Sequence, residues 1–238
     1  MNKINVNLYS RQISTYGLDI MLKINNMKVM ILGMGGLGVE IAKNIILTGV
    51  SEISFFDDKI CSISDLSSNF YISEEDVNKK RRDEACLPNL RELNREIIVN
   101  KFESLEIMKN NIKNFDILVI TEILDTKDII EYNNICRDNN KKLIYTSVLG
   151  LSGFVFNDFG EEHLIINRTG DDPNSFVIKN ITKEKEGKVT INIDNESNSL
   201  YEFSDYVIFK NIKGMEELNN KEPIKIKALN FKSLRHIF

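Results

Sequence analysis

A glycine-rich turn between an apolar run and an amphipathic helix is the feature that most limits how this chain can fold. The apolar run covers residues 28–33 and predicts a buried strand, and the helix begins within the turn. Gly33, Gly35 and Gly38 form the pattern Gly-x-Gly-x-x-Gly, with Gly36 between them. Backbone N–H groups at such a turn point along the helix axis and can hold a phosphate. The glycines serve a tight turn, close approach of a ligand and close helix packing, and only the second role needs a nucleotide.

An acidic pair lies at the end of the next predicted strand. Residues 52–57 have the composition of a strand that ends at Asp57, and Asp58 follows. A carboxylate about 20 residues beyond the glycines binds ribose hydroxyls in nucleotide-binding folds of this type. Three interpretations remain open: an NAD-type oxidoreductase, an ATP-dependent adenylating enzyme, or a descendant that keeps the fold without its ligand.

Strand and helix patterns alternate as far as residue 165. The helix after the glycines is expected to face the sheet with Leu37, Ile41, Ala42 and Ile45. Alternation of this kind predicts a Rossmann-like, mostly parallel α/β sheet flanked by helices. The remaining predicted elements are an N-terminal helix at 8–25 with Leu8, Ile13, Ile20, Met21 and Ile24 as its apolar stripe, strands at 96–102, 115–121 and 142–148, and a helix at 126–138.

The segment between the second and third predicted strands carries a helix start and a basic run. Ser73 and the acidic residues that follow it are expected to open a helix, which Pro88 should kink or end. The basic run Lys-Lys-Arg-Arg at 79–82 is expected to form a solvated helix face.

Beyond residue 165 the pattern changes to short strands with weak helical periodicity. A turn-rich linker is predicted at 167–174. We therefore predict two domains, a Rossmann-like domain at 1–165 and a small β-rich domain at 166–238. The strands of the second domain are predicted at 176–181, 188–193, 206–209 and 223–229.

Composition and charge argue against several classes of function. No apolar run approaches the roughly 20 residues that span a bilayer, so no membrane partner is expected. The net charge of −4 argues against nucleic acid as a partner. Cys61, Cys86 and Cys136 form no Cys-x-x-Cys pair, so we expect no metal site and a reducing compartment. His163 and His236 are the only histidines, which leaves little material for a Cys–His or Ser–His catalytic pair.

Several stretches resemble single-chain ubiquitin-activating enzymes of the ThiF-like superfamily. The opening at 9–17 is similar to the Tyr-x-Arg-Gln start of these enzymes and of their bacterial adenylating relatives. The resemblance implies that the chain is the N-terminal part of a longer enzyme, composed of the inactive adenylation half and the first catalytic-cysteine half-domain. The adenylation half is matched at 36–50, 65–71 and 156–162, and the half-domain at 187–190, 205–207 and 214–219.

The same resemblance implies a dismantled catalytic set. Active halves place a phosphate-contacting arginine where this chain has Ser68, and serine cannot offset phosphate charge. They also hold magnesium with an aspartate that Asp125 matches only out of register, and they carry an arginine where Ile130 stands. Gly33, Gly35, Gly36, Gly38 and Asp57 are thus expected to form a vestigial nucleotide loop. Asp57 is expected as a solvated strand end, and one residue at 79–82 remains a candidate for the family's phosphate-binding lysine.

Arg11 is the residue to which the resemblance assigns a role in chemistry. In the family, the arginine of this opening reaches ATP phosphates bound by the opposite half, as an arginine supplied in trans. ATP and magnesium are expected in the full enzyme and bound mainly by its active half. The thioester cysteine of the family lies beyond residue 238, so none of the three cysteines matches it. The expected partners are the active adenylation half and ubiquitin, and the expected location is cytoplasmic and nuclear.

Overall fold

The computed structural model resolves the chain into two compact units, Met1–Leu164 and Ile165–Phe238. It describes residues 4–163, 165, 175–184, 187–192, 206–219, 222–230 and 233–236. The turn-rich linker predicted at 167–174 lies outside these ranges. In the part of the chain described, no helix is long and apolar enough to cross a membrane.

The first unit is built on a six-stranded sheet in the order β3-β2-β1-β4-β5-β6. β1 to β5 are parallel, and β6 runs antiparallel to β5 along the edge of the sheet. The predicted Rossmann-like, mostly parallel α/β class is confirmed, whereas β6 was not predicted as a strand. The strands are β1 (Lys28–Leu32), β2 (Glu52–Phe56), β3 (Ile98–Lys101), β4 (Ile117–Ile120), β5 (Lys142–Leu149) and β6 (Ser152–Asp158).

Among the described residues, six α-helices accompany the sheet. α3 and α4 cover one face, where they pack on alternate strand residues such as Val29 and Ile31. α5 and α6 cover the other face, where they pack on Met30 and Leu32. The helices are α1 (Ser10–Tyr16), α2 (Leu18–Asn26), α3 (Gly36–Thr48), α4 (Arg82–Leu93), α5 (Leu105–Asn111) and α6 (Thr126–Asp138), and α6 has its predicted bounds.

The buried face of α3 differs from the prediction. Gly38, Val39, Ala42 and Ile46 are buried, whereas Leu37, Ile41 and Ile45 are only half-buried. The physical reason is the close approach at the start of the helix. Gly38 lies against the turn, and residues four and eight positions further on are stacked on the same side of the helix. The stripe 38-42-46 therefore faces the sheet.

Two other helix predictions were wrong in detail. The N-terminal helix is split into α1 and α2, and its predicted stripe fails because Leu8 and Ile20 are exposed, although Met21 is fully buried. Ser73 caps a single 3₁₀ turn, Glu74–Asp76, and the α-helix begins only at α4. α4 continues through Pro88 to Leu93, so the proline does not end it.

The second unit is a small antiparallel sheet in the order β7-β8-β11-β10-β9. Its core contains Val189, Ile191, Phe209, Leu218 and Ile226. The predicted β-rich character is confirmed, and β11 is a strand that was not predicted. The strands are β7 (Val177–Ile181), β8 (Lys188–Asn192), β9 (Tyr206–Val207), β10 (Ile224–Asn230) and β11 (Ser233–His236).

Candidate functional site: the glycine turn and its surroundings

Two glycines of the turn are required by packing. Gly33 has φ of 99°, and a Cβ there would lie 2.5 Å from Cγ of Glu122. At Gly38 a Cβ would lie 2.0 Å from the carbonyl oxygen of Gly33, because α3 starts directly against the turn. Both positions exclude any side chain through contacts within the protein, so neither indicates a ligand.

The other two glycines face different surroundings. A Cβ at Gly36 would lie 2.8 Å from Cβ, the carbonyl oxygen and Oγ of Ser68, so that serine packs directly against the start of α3. At Gly35 nothing lies within 4 Å of such a Cβ. Gly35 is the second glycine of the pattern, whose usual role is to let a phosphate approach the backbone. The structure leaves open space beside Gly35 through which a phosphate could approach the backbone.

Asp57 is buried rather than solvated, which corrects the prediction. Its residue exposure is 1%. The backbone N–H of Met34 donates to one carboxylate oxygen at 2.7 Å, and the N–H of Lys59 donates to the other at 3.0 Å. Because β1 and β2 are neighbours, the end of β2 lies against the turn that follows β1. The turn therefore encloses the carboxylate that a ribose would need.

Arg82 supplies the nearest cation to this carboxylate. Its guanidinium is 3.7 Å from Asp57 and 2.8 Å from Asp65, and only 19% of its side chain is exposed. Burial alone would lower the pKa of Arg82, but the hydrogen bond that its guanidinium donates to Asp65 and the charge of Asp57 outweigh burial and raise that pKa. Burial alone would raise the pKa of Asp65, and its hydrogen bonds with Ser62 and Arg82 outweigh burial and lower it.

The prediction that the basic run at 79–82 forms a solvated helix face is therefore wrong for two of its four residues. Lys79 and Lys80 are exposed, but Arg81 and Arg82 each expose 19% of the side chain and pair with carboxylates. Arg81 is 2.6 Å from Asp83. The arginines flank the start of α4, which places them under the loop after β2, and this long-range contact has no signature in the local sequence.

Glu122 is a site residue that the sequence analysis did not single out. It follows β4 at the same edge of the sheet, packs beneath Gly33 and forms an ion pair with Lys59 at 3.0 Å. Burial and the charge of Asp57 raise the pKa of Glu122, against the opposing effect of Lys59. Its position directly after a buried parallel strand was the available signal, because ligands bind at the carboxyl ends of such strands.

The residues present do not fit a magnesium–nucleotide complex. Ser68 lies over the helix start, and Arg82 already pairs with Asp57 and Asp65. Asp125 and Ile130 are exposed at the N-cap and on the surface of α6. Among the described residues, no group of three His, Cys, Asp or Glu side chains could hold a metal ion. Arg82, the arginine next to Asp57, is thus already paired with carboxylates of the same chain.

Cys86 adjoins this corner through Asn69, whose Nδ2 donates to the Cys86 sulfur at 3.4 Å and to the carbonyl oxygen of Met34 at 2.9 Å. Cys61, Cys86 and Cys136 are buried free thiols, and burial raises the pKa of Cys86 and of Cys136 to about 12.

Arg11 is exposed on α1, a helix without buried residues. Within the described part of the chain its guanidinium forms neither a hydrogen bond nor an ion pair. Arg11 is thus free to contact another molecule.

A glycine turn between β1 and α3, with an acidic residue after β2, defines a Rossmann-like fold of the nucleotide-binding class. The chain belongs to the ThiF family, whose sequence model matches residues 9–185. A second model, the ubiquitin-activating enzyme E1 FCCH domain, matches residues 184–237.

Curated relatives and a solved structure agree with this assignment. The chain is 38% identical over 227 residues to ubiquitin-activating enzyme E1 1 of Candida albicans, covering 95% of this chain and 21% of that protein. It is 36% identical over 226 residues to ubiquitin-like modifier-activating enzyme 1 of Homo sapiens, with the same two coverages of 95% and 21%. The crystal structure of E. coli MccB with succinimide has a TM-score of 0.51 and 26% identity over 60% of this chain and 45% of that chain.

Proposed function

We propose that this chain supplies the non-catalytic adenylation half and the first catalytic-cysteine half-domain of a ubiquitin-activating enzyme. In the full reaction the ubiquitin C-terminal carboxylate attacks the α-phosphate of ATP, which forms the acyl adenylate and releases pyrophosphate. A cysteine thiolate then takes the acyl group as a thioester and releases AMP. The two relatives named above are, by name, a ubiquitin-activating enzyme and a ubiquitin-like modifier-activating enzyme, and the chain spans 21% of their length. In this proposal the catalytic sites belong to the remainder of the enzyme.

The observation that carries the proposal is the internal pairing of charge at the glycine turn. Asp57 accepts hydrogen bonds from Met34 and Lys59 of the same chain, and Arg82 pairs with Asp65 at 2.8 Å. Groups that would bind ribose and phosphate in an active site are instead partners of one another. The turn then serves as a folding corner, while ATP and magnesium are bound mainly by the active half.

The exposed surface of the first unit supports pairing with a second adenylation half. The hairpin of β5 and the edge strand β6 carries large exposed apolar side chains on both strands and in the turn between them, which marks an interaction surface. These exposed side chains are Val148, Leu149, Leu151, Phe154, Val155 and Phe156. The partner that fits an adenylation domain of this family is the active half, and ubiquitin is the second partner that we propose.

Arg11 is the residue that we assign to the reaction itself. Its unpaired guanidinium on α1 is available to the phosphates of ATP held by the active half, where positive charge stabilises the transition state. Arg11→Ala in the assembled enzyme should slow ubiquitin-dependent ATP–pyrophosphate exchange by about 100-fold or more, with a smaller effect on thioester transfer to later enzymes. An unchanged exchange rate would remove Arg11 from the proposal. The proposed locations are the cytoplasm and the nucleus.

The decisive test uses the purified chain with ubiquitin, ATP and Mg²⁺. We expect no ubiquitin-dependent ATP–pyrophosphate exchange from the chain alone, and exchange once the active adenylation half is added. Exchange by the chain alone would instead identify it as an autonomous adenylating enzyme of the ThiF type. An NADH titration followed by fluorescence tests the oxidoreductase alternative, for which we expect no binding.

A further inference from the structure

Tyr9 is the buried attachment point of the segment that carries Arg11. It is the N-cap residue of α1 and is 2% exposed, although α1 itself has no buried residue. The next fully buried side chain along the chain is Met21 in α2. Tyr9, two residues before Arg11, is therefore the buried contact that holds the start of α1 on the domain, while Gln12 and Ile13 of the helix are half-buried.

The pocket that receives Tyr9 is formed where α3 and α4 end. Gly49 ends α3 with φ of 97°, and a Cβ there would lie 2.5 Å from Cε1 of the tyrosine ring. The ring thus occupies the space that a side chain at residue 49 would fill. A left-handed backbone and direct contact with the ring both require glycine at this position.

Asn94 completes the pocket with hydrogen bonds. Its Nδ2 donates to the hydroxyl of Tyr9 at 2.9 Å and to the carbonyl oxygen of Ile46 at 3.2 Å. The same side chain therefore ties the tyrosine to the last turn of α3, which is continuous with the glycine corner. A buried aromatic ring with a satisfied hydroxyl is a rigid anchor, because few rotamers are left to it.

We propose that Tyr9 is a positioning residue for Arg11, held in a socket formed by Gly49 and Asn94. The inference rests on the proposed trans role of Arg11. A misplacement of about 1 Å can reduce the rate of a step that depends on orientation by about 100-fold. Loss of the ring should therefore affect the same step as loss of Arg11, although Tyr9 touches no reactant.

The first test measures anchoring in the chain itself and does not depend on any activity. Trypsin cleavage at the Arg11–Gln12 bond, followed by mass spectrometry, reports how often α1 leaves the domain. We expect Tyr9→Ala to accelerate this cleavage by about tenfold or more, and Tyr9→Phe by less than about threefold. The matched control is Tyr16→Ala, which removes an exposed tyrosine from the same helix and should leave the rate unchanged. Equal cleavage of Tyr9→Ala and the unaltered chain would overturn the inference.

The second test is a double-mutant cycle in the enzyme assembled from this chain and its active half. Tyr9→Ala should lower kcat for ATP–pyrophosphate exchange by about 10- to 100-fold, and Tyr9→Phe should restore most of it. In an Arg11→Ala background, Tyr9→Ala should have little further effect, because the group that it positions is gone. An equal loss in both backgrounds would show a purely structural role and refute the positioning inference. Normal activity of the Arg11→Ala enzyme would be a different result. It would refute the trans contact of the proposed function, on which this inference rests.

Discussion

A pair of alanine substitutions separates the packing role of the glycine turn from its ligand role. Gly38→Ala places a Cβ 2.0 Å from the carbonyl oxygen of Gly33, over an ångström inside van der Waals contact. Relief requires α3 to move away from the sheet, which opens gaps at Val39, Ala42 and Ile46. The expected loss in the free energy of unfolding is about 3 kcal/mol.

Gly35→Ala is the matched control, three residues away in the same turn. Its backbone is extended, with φ of −68°, and its Cβ would meet nothing within 4 Å. Alanine is a poorer N-cap than glycine but reduces the entropy of the unfolded chain, so we expect a net change within about 0.5 kcal/mol.

Urea unfolding followed by circular dichroism at 222 nm measures both changes, because the α-helices described in the chain all lie in the first unit. In thermal unfolding followed by the same signal, Gly38→Ala should lower Tm by about 6–12 °C for a unit of this size, whereas Gly35→Ala should change it by less than about 2 °C. Equal losses in the two variants would refute the assignment of Gly38 to packing and of Gly35 to open space. So would a loss below about 1 kcal/mol for Gly38→Ala.

Three further outcomes follow from the charge network and the thiols. Arg82→Ala should destabilise the fold by about 3 kcal/mol, because it leaves Asp57 and Asp65 buried without their cation. The control Lys79→Ala should change stability by less than about 0.5 kcal/mol. Similar losses from the two variants would contradict the buried pairing. Asp158 accepts hydrogen bonds from Arg137 and Asn133 and has its pKa lowered from 3.8 to about 2, so its stabilising effect is complete above pH 3.8 and disappears as the pH falls through about 2. The difference in stability between the unaltered chain and Asp158→Asn, measured by denaturation, should shrink from pH 7 to pH 2.5, and a difference independent of pH would be inconsistent with that ion pair. A thiol reagent at pH 8 should modify none of the three cysteines until urea unfolds the chain, because all are buried; rapid labelling of the folded chain would disprove their burial.

The sequence predicts correctly the elements whose patterns lie within a few neighbouring residues. The apolar run, the glycines and the helix at 126–138 each have a pattern contained within a few neighbouring residues, and the structure has all three. The alternation of strands and helices is likewise a local property repeated along the chain, and it predicted the class of the sheet correctly.

The errors concern contacts between residues that are distant in sequence. Asp57 is buried because Met34, 23 positions earlier, donates to it, and no pattern near Asp57 contains that donor. The stripe of α3 was misplaced because its rotation is set by contact with Gly33, and periodicity alone does not fix which stripe faces the sheet. Tyr9 was assigned to a motif rather than to the core, because its partner Asn94 is 85 positions away.

The hydrogen bond from Met34 to Asp57 has a consequence for how the protein responds to the metabolic state of the cell. In a protein whose phosphate loop is ordered by its ligand, stability rises with ligand concentration according to the ratio of that concentration to Kd. Here the chain supplies its own acceptor for the turn, at 2.7 Å. We therefore expect the stability of this unit to be the same with and without ATP and Mg²⁺, which thermal unfolding of the chain in both conditions would test.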